Sequence, residues 1–301
     1  MIVVALAGGM GNQMFQYACG RALAEKHRTE LLLDCSFLQD KTPRPNFTFR
    51  VYELDIFAIN AKQTSNGELK KYRPSFYYRV YSKLSRLIGL PIIVNPNYLS
   101  EQKAFHYSKA IEKVSQNCFL AGYWQNEKYF KPIEPLIRQD FTFKRPLDQK
   151  NADLANRIRM ANSVSLHIRR GDYVNNSLVH NVYSLCSLEY YQNAICYIEQ
   201  KINNPGFFIF SDDIEWAKTN LKLSSRTCEF VSGNTGKQSH VDMQLMSICR
   251  HNIIANSSFS WWGAWLNANA EKIVLVPEKW FNDPSLDVHD LIPESWIKIK
   301  V

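Results

Sequence analysis

The stretch IVVALAGGMGNQMFQYACGRALAEKHRTELLLD, residues 2–34, predicts a βαβ unit at the start of the chain. Its apolar run at 2–6 is typical of a buried strand, and residues 14–27 carry apolar side chains at helical spacing. A second short apolar run at 30–34 predicts another strand. Because two strands joined by a helix usually pair in parallel, this opening favours a parallel α/β sheet.

Alternating helices and strands resume at about residue 151. Apolar runs that predict strands occupy 164–168, 207–210, 228–231, 253–256 and 273–276, and helical patterns separate them. Five such strands make a second doubly wound unit. The predicted fold class is therefore α/β, with two Rossmann-like halves at 1–150 and 151–301. Two such halves face a cleft, and ligands bind at the carboxyl ends of the strands.

The middle of the first half is less regular. The segment 70–90 predicts a basic, aromatic helix that covers the first sheet, or alternatively a surface facing a membrane or an acceptor. A strand is predicted at 117–124. Residues 127–141 are predicted to be partly helical, although they include two prolines.

The composition is that of a globular protein with an anionic partner. Of the 301 residues, 46% are hydrophobic and 21% are charged, and the formal net charge is +8. The basic residues are dispersed, without a run of five, which disfavours nucleic acid as the partner. A phosphorylated small molecule or an anionic membrane surface fits this charge better.

The cysteines and the lengths of the apolar segments indicate the cellular compartment of the protein. Seven cysteines without a CxxC pair predict reduced thiols and no zinc or redox site. The N-terminus lacks the basic region of a signal peptide, and no apolar run reaches the roughly 18 residues of a membrane span. We therefore expect a cytoplasmic protein, either free or peripheral at the inner face of the membrane.

The glycine-rich turn AGGMGNQ, residues 7–13, lies between the first strand and the first helix. Phosphates commonly bind at a helix N-terminus in this position. The dinucleotide fingerprint GxGxxG fails at its sixth position, Met14. Asp34 stands where a ribose-binding acid is expected, which keeps an NAD-dependent enzyme as an alternative. The glycines are needed only for the backbone conformation of a tight turn, or the turn presents Asn12 and backbone amides to a ligand.

The segment VSLHIRRGDYV, residues 164–174, begins as an apolar strand and ends in charge. Because side chains alternate along a strand, His167 and Arg169 point the same way. Arginine binds phosphate through two hydrogen bonds, so this strand end predicts an anion site. Asp172 contacts a ligand hydroxyl or forms a structural salt bridge, with Arg170 as its expected partner. One acid cannot neutralise both arginines.

Polar residues also follow two other predicted strands. Asp212 and Asp213 come after 207–210, where they either cap a helix or contact a ligand. A serine-rich segment follows 253–256, and it either caps the next helix or forms an anion or ribose site. The tryptophans of that helix are predicted core residues. No DxD sequence occurs, which disfavours the manganese or magnesium site of many sugar-nucleotide enzymes.

Several segments together resemble one known family. They are GGMGNQMFQYA (8–18), HIRRGDYV (167–174), FSDD (210–213) and HVDMQLMSICRHNIIANSSFSWWGAWL (240–266). In order and spacing they are similar to the bacterial α-1,2-fucosyltransferases of glycosyltransferase family 11. GYWQNEKYF (122–130) and CSLEYYQNAI (186–195) resemble further family segments. The resemblance extends over nearly the whole chain and is weakest at 40–115.

This resemblance implies a GT-B-type fold whose C-terminal half binds GDP-fucose. It implies inverting transfer of L-fucose to the 2-hydroxyl of a terminal β-galactoside in surface glycan synthesis, without a metal or other cofactor. The implied partners are GDP-fucose and a galactose-containing glycan or glycolipid.

The same resemblance assigns roles to individual residues. Arg169 matches the arginine expected on the donor β-phosphate, and His167 and Asp172 beside it are the other catalytic candidates. The further donor-binding candidates are Asn12, Gly11, Asp212, Asp213, Ser257, Ser258, Phe259 and Ser260. The acceptor-binding candidates are Trp124 and Gln125.

We expect Arg169 to stabilise the charge on the departing GDP, which a metal ion does elsewhere. The base for the acceptor hydroxyl is either His167 or a carboxylate of the N-terminal half. Three alternatives stay open: a protein O-fucosyltransferase-like enzyme, an NAD-dependent Rossmann enzyme, and a carbohydrate-binding protein without catalysis.

Overall fold

The computed structural model describes residues 1–43, 48–64, 80, 97–171, 184–223, 228–283 and 285–300. The chain divides into two compact units. The first comprises Met1–Thr142 with His289–Leu291, and the second comprises Phe143–Val288 with Ile292–Val301. The division thus falls after residue 142 instead of after the predicted residue 150, and a short C-terminal segment belongs to the first unit. Asp172 and nearly all of the predicted helix at 70–90 lie outside the described residues.

The first unit is built around a parallel sheet of five strands, in the order β3-β2-β1-β5-β4. The strands are β1 (Ile2–Ala5), β2 (Leu31–Asp34), β3 (Lys62–Thr64), β4 (Tyr98–Ser100) and β5 (Cys118–Ala121). The helices within its described residues include α1 (Met10–Lys26), α2 (Ser36–Gln39) and α3 (Glu134–Asp140). Short 3₁₀ turns occupy Leu54–Ile56, Lys109–Lys113, Glu127–Tyr129 and Lys131–Ile133.

The second unit is a parallel sheet of six strands, in the order β11-β10-β9-β6-β7-β8. The strands are β6 (Asn162–Ile168), β7 (Pro205–Ser211), β8 (Cys228–Val231), β9 (His251–Ile253), β10 (Val274–Pro277) and β11 (Ile297–Ile299). The helices are α4 (Gln149–Met160), α5 (Leu188–Lys201), α6 (Ile214–Asn220), α7 (Ser239–Ile248) and α8 (Ser258–Leu266), with a 3₁₀ turn at Gly236–Gln238.

Burial explains why these segments form strands and helices. The central strands β1 and β6 are almost fully buried, as parallel strands covered on both faces are, and every residue of β1 is apolar. The aromatic side chains of α8 are also buried, and Trp261 packs against Trp262, Trp265 and Trp296. The prediction that these tryptophans are core residues is confirmed. All seven cysteines are free thiols, as their spacing predicted.

The predicted pair of Rossmann-like α/β units is confirmed, and individual elements differ from their predicted bounds. The helix expected at 14–27 begins at Met10, so Gly11 and Asn12 lie in its first turn. The strand expected at 253–256 is β9, which ends at Ile253. The second sheet has a sixth strand, β11, that the sequence did not predict. In the part of the chain that the structure describes, no helix is long and apolar enough to span a membrane.

A buried polar cluster joins α4, α7 and the loop after β8. Asn234 donates to a carboxylate oxygen of Asp242 at 2.8 Å and exchanges hydrogen bonds with Asn151 at 3.1 Å. Burial raises the pKa of Asp242 to about 7, although the hydrogen bond from Asn234 and the charge of Lys150 lower it.

This cluster predicts a pH-dependent stability of the second unit. The folded state holds the Asp242 proton more tightly than the unfolded chain does, so stability decreases as the pH rises from 3.8 to about 7. Asp242→Asn keeps an acceptor oxygen and removes this titration. At pH 8 we expect the variant to melt about 2–4 °C higher than the wild type, which corresponds to a gain of about 1 kcal/mol in the free energy of unfolding. Thermal unfolding between pH 4 and 8 tests this, and parallel curves for the two proteins would contradict it.

Candidate active site

The carboxyl edge of the second sheet, where its parallel strands end, collects three of the predicted motifs. The neighbours β9, β6 and β7 lie side by side. The segment 256–260 follows β9, Arg169 and Arg170 follow β6, and Asp212 and Asp213 follow β7. The register pairs Ile168 with Ser211, which brings the two arginines opposite the two aspartates. The three motifs therefore lie at one edge of the sheet.

Each arginine has an aspartate from the next strand as its partner. Arg169 Nη1 lies 2.8 Å from Asp212 Oδ2, and Arg170 Nε lies 3.2 Å from Asp213 Oδ2. The backbone N–H of Arg170 also donates to Asp212 Oδ1 at 2.8 Å. An anion bound here must therefore share Arg169 with Asp212.

The two arginines differ in what surrounds their guanidinium groups. Arg170 lies over the Trp216 ring, 4.0 Å from its centroid, and this cation–π contact fixes it against α6. Arg170 Nε bonds to Asp213, and its expected partner Asp172 lies outside the described residues. The side chain of Arg169 is 28% exposed, so it is the arginine of this pair that we assign to an anion.

Gly171 is required by the close approach of β7. A Cβ atom at this position would lie 2.9 Å from Asp212 Oδ2. A larger residue would push the carboxylate away from Arg169. The glycine of the RRGD segment therefore serves the Arg169–Asp212 pair.

His167 is buried at the end of β6, with its ring centroid 5.7 Å from that of Phe259. Its Nδ1 atom has no hydrogen-bond partner among the described residues. Burial lowers the pKa of His167 to about 4; the charge of Asp212 raises it and that of Arg169 lowers it further. The imidazole is therefore neutral near pH 7 and can offer a ligand a hydrogen bond. A pKa of about 4 makes it a weak general base, so the predicted role as base is not supported by its surroundings.

The serine-rich segment 256–260 is explained largely by capping. The Ser257 hydroxyl accepts from the backbone N–H of Phe259 at 3.3 Å and caps α8. The Ser260 hydroxyl is buried and donates to the carbonyls of Ala255 and Ser257. Asn256 is also buried and donates to the carbonyls of Ser184 and Trp280. Ser257 thus fits the capping interpretation, while the Ser260 hydroxyl bonds to backbone carbonyls.

The carboxyl edge of the first sheet holds the other predicted residues. Gln125 donates from Nε2 to Asn12 Oδ1 at 2.7 Å, which links the first turn of α1 to the loop after β5. Gly11 is buried within that turn. The structure therefore brings Asn12 and Gln125 together, while their predicted contacts with donor and acceptor remain predictions.

Two buried glutamines of α1 organise this edge, and the sequence reasoning missed both. Gln13 donates to the carbonyls of Gly8 and Val51 at 2.9 and 2.8 Å and accepts from the Glu53 N–H at 3.0 Å. Gln16 accepts from the Ala7 N–H and donates to the Gly122 carbonyl, each at 3.0 Å. Their polar side chains at helical spacing in an otherwise apolar helix could have identified these two glutamines from the sequence.

A carboxylate occupies the N-terminus of α1, where the sequence suggested a phosphate. The Met10 N–H donates to Glu53, and burial raises the pKa of this carboxyl against the effects of that hydrogen bond and of Arg50. An anionic side chain at this terminus repels a second anion. Asp34, the proposed ribose-binding acid, is buried and accepts from the Ser36 N–H at 2.9 Å. Among the described residues, the start of α1 and the end of β2 therefore do not form the dinucleotide site that the NAD-dependent alternative needs.

The aromatic residues after β5 differ from expectation. Trp124 is 0% exposed and packs edge-on against Tyr129, so its ring face cannot stack on an acceptor sugar. Its backbone is in the left-handed region, with φ 55°, and Glu101 accepts from the backbone N–H groups of Tyr123 and Trp124 there. Tyr123, which is 43% exposed, is the accessible aromatic residue at this turn.

Comparisons with known proteins agree with these features. The model of glycosyl transferase family 11 matches residues 106–300. An Escherichia coli alpha-1,2-colitosyltransferase is 39% identical over 305 residues, covering 100% of this chain and 99% of that protein. The Escherichia coli O-antigen biosynthesis glycosyltransferase WbnK is 35% identical over 313 residues, covering 98% and 99%.

More distant similarities reach mammalian proteins and solved structures. The Bos taurus galactoside 2-alpha-L-fucosyltransferase SEC1 is 29% identical over 237 residues, which cover 70% of this chain and 64% of that protein. The crystal structure of NodZ α-1,6-fucosyltransferase soaked with GDP-fucose aligns with 88% of this chain and 91% of that chain, at a TM-score of 0.46 and 14% identity.

The chain belongs to glycosyltransferase family 11. It is therefore a glycosyltransferase built from two Rossmann-like units, and the NAD-dependent alternative is rejected. Within the described residues, no three His, Cys, Asp or Glu side chains are grouped closely enough to hold a metal ion.

Proposed function

We propose that this protein is an inverting glycosyltransferase that moves L-fucose from GDP-fucose to the 2-hydroxyl of a terminal β-galactoside. The observation that carries the proposal is the partly exposed Arg169 side chain, paired with Asp212 at the carboxyl edge of the second sheet, in a family 11 chain. Two relatives whose names specify a linkage, the colitosyltransferase and SEC1, both form α-1,2 linkages by those names.

The proposed chemistry is electrostatic. As the bond between the sugar C1 and the β-phosphate oxygen breaks, negative charge accumulates on the departing GDP. Arg169 stabilises this charge, and an arginine can do so with two parallel hydrogen bonds. The neutral His167 adds a hydrogen bond without adding charge. Arg170 has a structural role in this proposal, because it is bound by Asp213 and packs over Trp216.

A second donor is favoured by the 39% identity with the colitosyltransferase. Colitose is L-fucose without its 3-hydroxyl group, so both sugars present the same leaving group and the same C1. A site that hydrogen-bonds the 3-hydroxyl rejects the deoxy sugar strongly, whereas an apolar site there accepts it. Comparing kcat/KM for GDP-fucose and GDP-colitose decides between the donors, and GDP-fucose is the donor that we propose.

The proposed acceptor is a surface glycan under assembly on a lipid carrier. The name of WbnK, which specifies O-antigen biosynthesis, supports this placement. It suits a protein that acts in the cytoplasm or at the inner face of the membrane. Fucose transfer to a protein hydroxyl is the remaining enzymatic alternative, and a glycan-binding protein without catalysis is the non-enzymatic one.

The central experiment measures GDP release from GDP-fucose with lactose as the acceptor. We expect release that depends on lactose, and a product whose new linkage is α-1,2 by NMR. Release with a serine- or threonine-containing polypeptide instead would favour the protein-directed alternative. Glycan binding without GDP release would favour the binding protein.

Turnover is expected to be unaffected by excess EDTA. Arg169 supplies the positive charge that a divalent ion supplies in enzymes with a DxD sequence, so removing metal should leave kcat within about twofold. The same GDP-release assay, with and without EDTA and manganese, measures this. Inhibition by EDTA that manganese reverses would show that the proposed metal-free mechanism is wrong.

A further inference from the structure

We propose that Tyr123 is the residue on which the acceptor sugar stacks, in a carbohydrate-binding site at the carboxyl edge of the first sheet. We identify its ligand from the proposed function, on which this inference rests, because the acceptor of that reaction is a glycan that ends in galactose. The residues of the site all belong to the first unit. Tyr123 takes the aromatic role that the sequence predicted for Trp124, whose ring is buried.

Tyr123 is an exposed aromatic residue beside buried ones. It is 43% exposed, whereas Trp124 and Gln125, which follow it, are buried. Among the residues that the structure describes, its side chain makes no hydrogen bond and stacks on no other ring. A single exposed aromatic residue is common on a protein surface. Tyr123 differs from such residues because the main chain that carries it is firmly held.

Two buried or partly buried side chains hold the turn that carries Tyr123. Glu101 accepts from the Tyr123 N–H at 2.8 Å with one carboxylate oxygen and from the Trp124 N–H at 3.2 Å with the other. Gln16 Nε2 donates to the Gly122 carbonyl at 3.0 Å. Three consecutive residues are thus each bound through a backbone atom. A ring carried on such a turn loses little conformational freedom when a ligand binds, which favours affinity.

The backbone of this turn adopts a conformation that its residues do not prefer. Trp124 has φ 55°, in the left-handed region that a bulky residue rarely occupies. A Cβ atom at Gly122 would lie 2.4 Å from the Cβ of Glu101, so a side chain does not fit there. Strained backbone of this kind is concentrated where it positions a functional group. In this turn, the strained conformation goes with a buried Trp124 ring and an exposed Tyr123 ring.

An amide pair at the same sheet edge supplies polar groups for a sugar. Gln125 Nε2 donates to Asn12 Oδ1 at 2.7 Å. A side-chain amide has two N–H donors and an acceptor oxygen. Within the described part of the chain, the Gln125 amide makes no other hydrogen bond. One N–H and the oxygen of Gln125 therefore remain for the hydroxyl groups of a ligand.

An aromatic ring together with side-chain amides suits a β-galactoside. The C–H groups of a sugar ring pack on an aromatic face, and its hydroxyl groups exchange hydrogen bonds with amides. In galactose the axial 4-hydroxyl lies on one face, which leaves the C–H groups of C3, C4 and C5 together on the other. Stacking through that face keeps the equatorial 2-hydroxyl at the ring edge, where it stays accessible for transfer.

Replacing Tyr123 with alanine tests the stacking. We expect KM for lactose to rise about tenfold or more, the loss typical of one aromatic contact. Both kcat at saturating lactose and KM for GDP-fucose should stay within about twofold of the wild type, because Tyr123 contacts only the acceptor. Tyr123→Phe keeps the ring and should retain the wild-type KM for lactose. Steady-state GDP release at varied lactose measures these quantities.

Lactose binding without a donor gives a second measurement. By saturation-transfer NMR, we expect the strongest transfer at H3, H4 and H5 of the galactose ring in the wild type and in Tyr123→Phe, and its loss in Tyr123→Ala. Tyr197→Ala is the matched control, because Tyr197 is a partly exposed tyrosine of the second unit with Lys201 Nζ 6.0 Å from its ring centroid. It should leave both KM for lactose and the transfer pattern unchanged.

Glu101→Gln tests whether the turn positions the ring. Glutamine keeps an oxygen for one of the two backbone N–H groups and cannot accept from the other with its amide nitrogen. We expect a rise in KM for lactose that is smaller than in Tyr123→Ala, with kcat retained. A lower melting temperature with an unchanged KM would show that Glu101 serves stability alone, and the positioning role would be wrong.

The outcomes separate this inference from the proposed function. If the wild type releases GDP and Tyr123→Ala keeps its KM for lactose within about twofold, the inference is overturned and the proposed function is not. Equal rises in KM for Tyr123→Ala and Tyr123→Phe would also overturn the stacking role. If the wild type binds lactose with the expected transfer pattern and releases no GDP with any β-galactoside, the carbohydrate site is supported and the proposed function is contradicted.

Discussion

Replacing Arg169 with alanine is expected to lower kcat by about 10²–10³-fold, the loss typical of removing one preorganised donor to a developing negative charge. The contact matters more in the transition state than in the ground state, because charge accumulates on GDP only as the glycosidic bond breaks. KM for the donor should therefore rise much less than kcat falls. Steady-state GDP release at saturating donor and acceptor measures both quantities.

Arg169→Lys and Arg170→Ala are the informative controls. Lysine keeps the charge and loses the planar pair of donors, so we expect an activity between those of wild type and Arg169→Ala. Arg170 lies 4.0 Å over Trp216 and pairs with Asp213, so its loss should lower stability and reduce kcat less than about tenfold. Equal losses from Arg169→Ala and Arg170→Ala would show that the division of roles between the arginines is wrong.

The orienting carboxylate gives an independent check on this prediction. A guanidinium carries five N–H donors, more than the 2.8 Å contact with Asp212 uses. Asp212→Asn should therefore loosen the orientation of Arg169 and leave its charge in place, with a smaller loss of kcat than Arg169→Ala. An increase in kcat would mean that Asp212 competes with the donor for Arg169.

The alternation of apolar strands and helices was readable from the sequence because most strands are buried on both faces. Runs such as 164–168 and 207–210 are long enough for a buried strand and too short for a buried helix. The strands that were missed, β3, β4 and β11, are three residues each and sit at sheet edges. An edge strand is paired on one side and needs little apolar sequence, so its pattern is weak.

The residues of the candidate site could be predicted from the sequence, but the contacts between their side chains could not. Polar residues after adjacent parallel strands meet at one edge, which located Arg169 and Asp212. Their direct bond depends on the register of β6 against β7, which no local pattern encodes. The sequence predicted Asp172 as the partner of Arg170, and Asp172 lies outside the described residues.

A buried ion pair determines the stability of the first unit, and its removal has the second large expected effect. Asp140, at the end of α3, accepts from the Tyr17 hydroxyl at 2.7 Å and from Arg21 Nε at 3.1 Å. All three side chains are buried. Asp140→Ala leaves the buried Arg21 charge with the exposed Glu25 as its remaining ion-pair partner among the described residues, so we expect a loss of about 3–5 kcal/mol in the free energy of unfolding.

Glu134→Ala provides the matched control, because Glu134 lies on the same short helix and pairs with Arg138 at 2.8 Å near the surface. Such a pair contributes about 0.3–0.5 kcal/mol. Asp140→Asn keeps an acceptor for Tyr17, so its loss in the free energy of unfolding should lie between those of the two alanine variants. Denaturant unfolding of the whole chain, followed by fluorescence and by circular dichroism, measures the three losses. Equal losses for Asp140→Ala and Glu134→Ala would contradict the buried-pair explanation, since solvent then screens Arg21 as well as it screens Arg138.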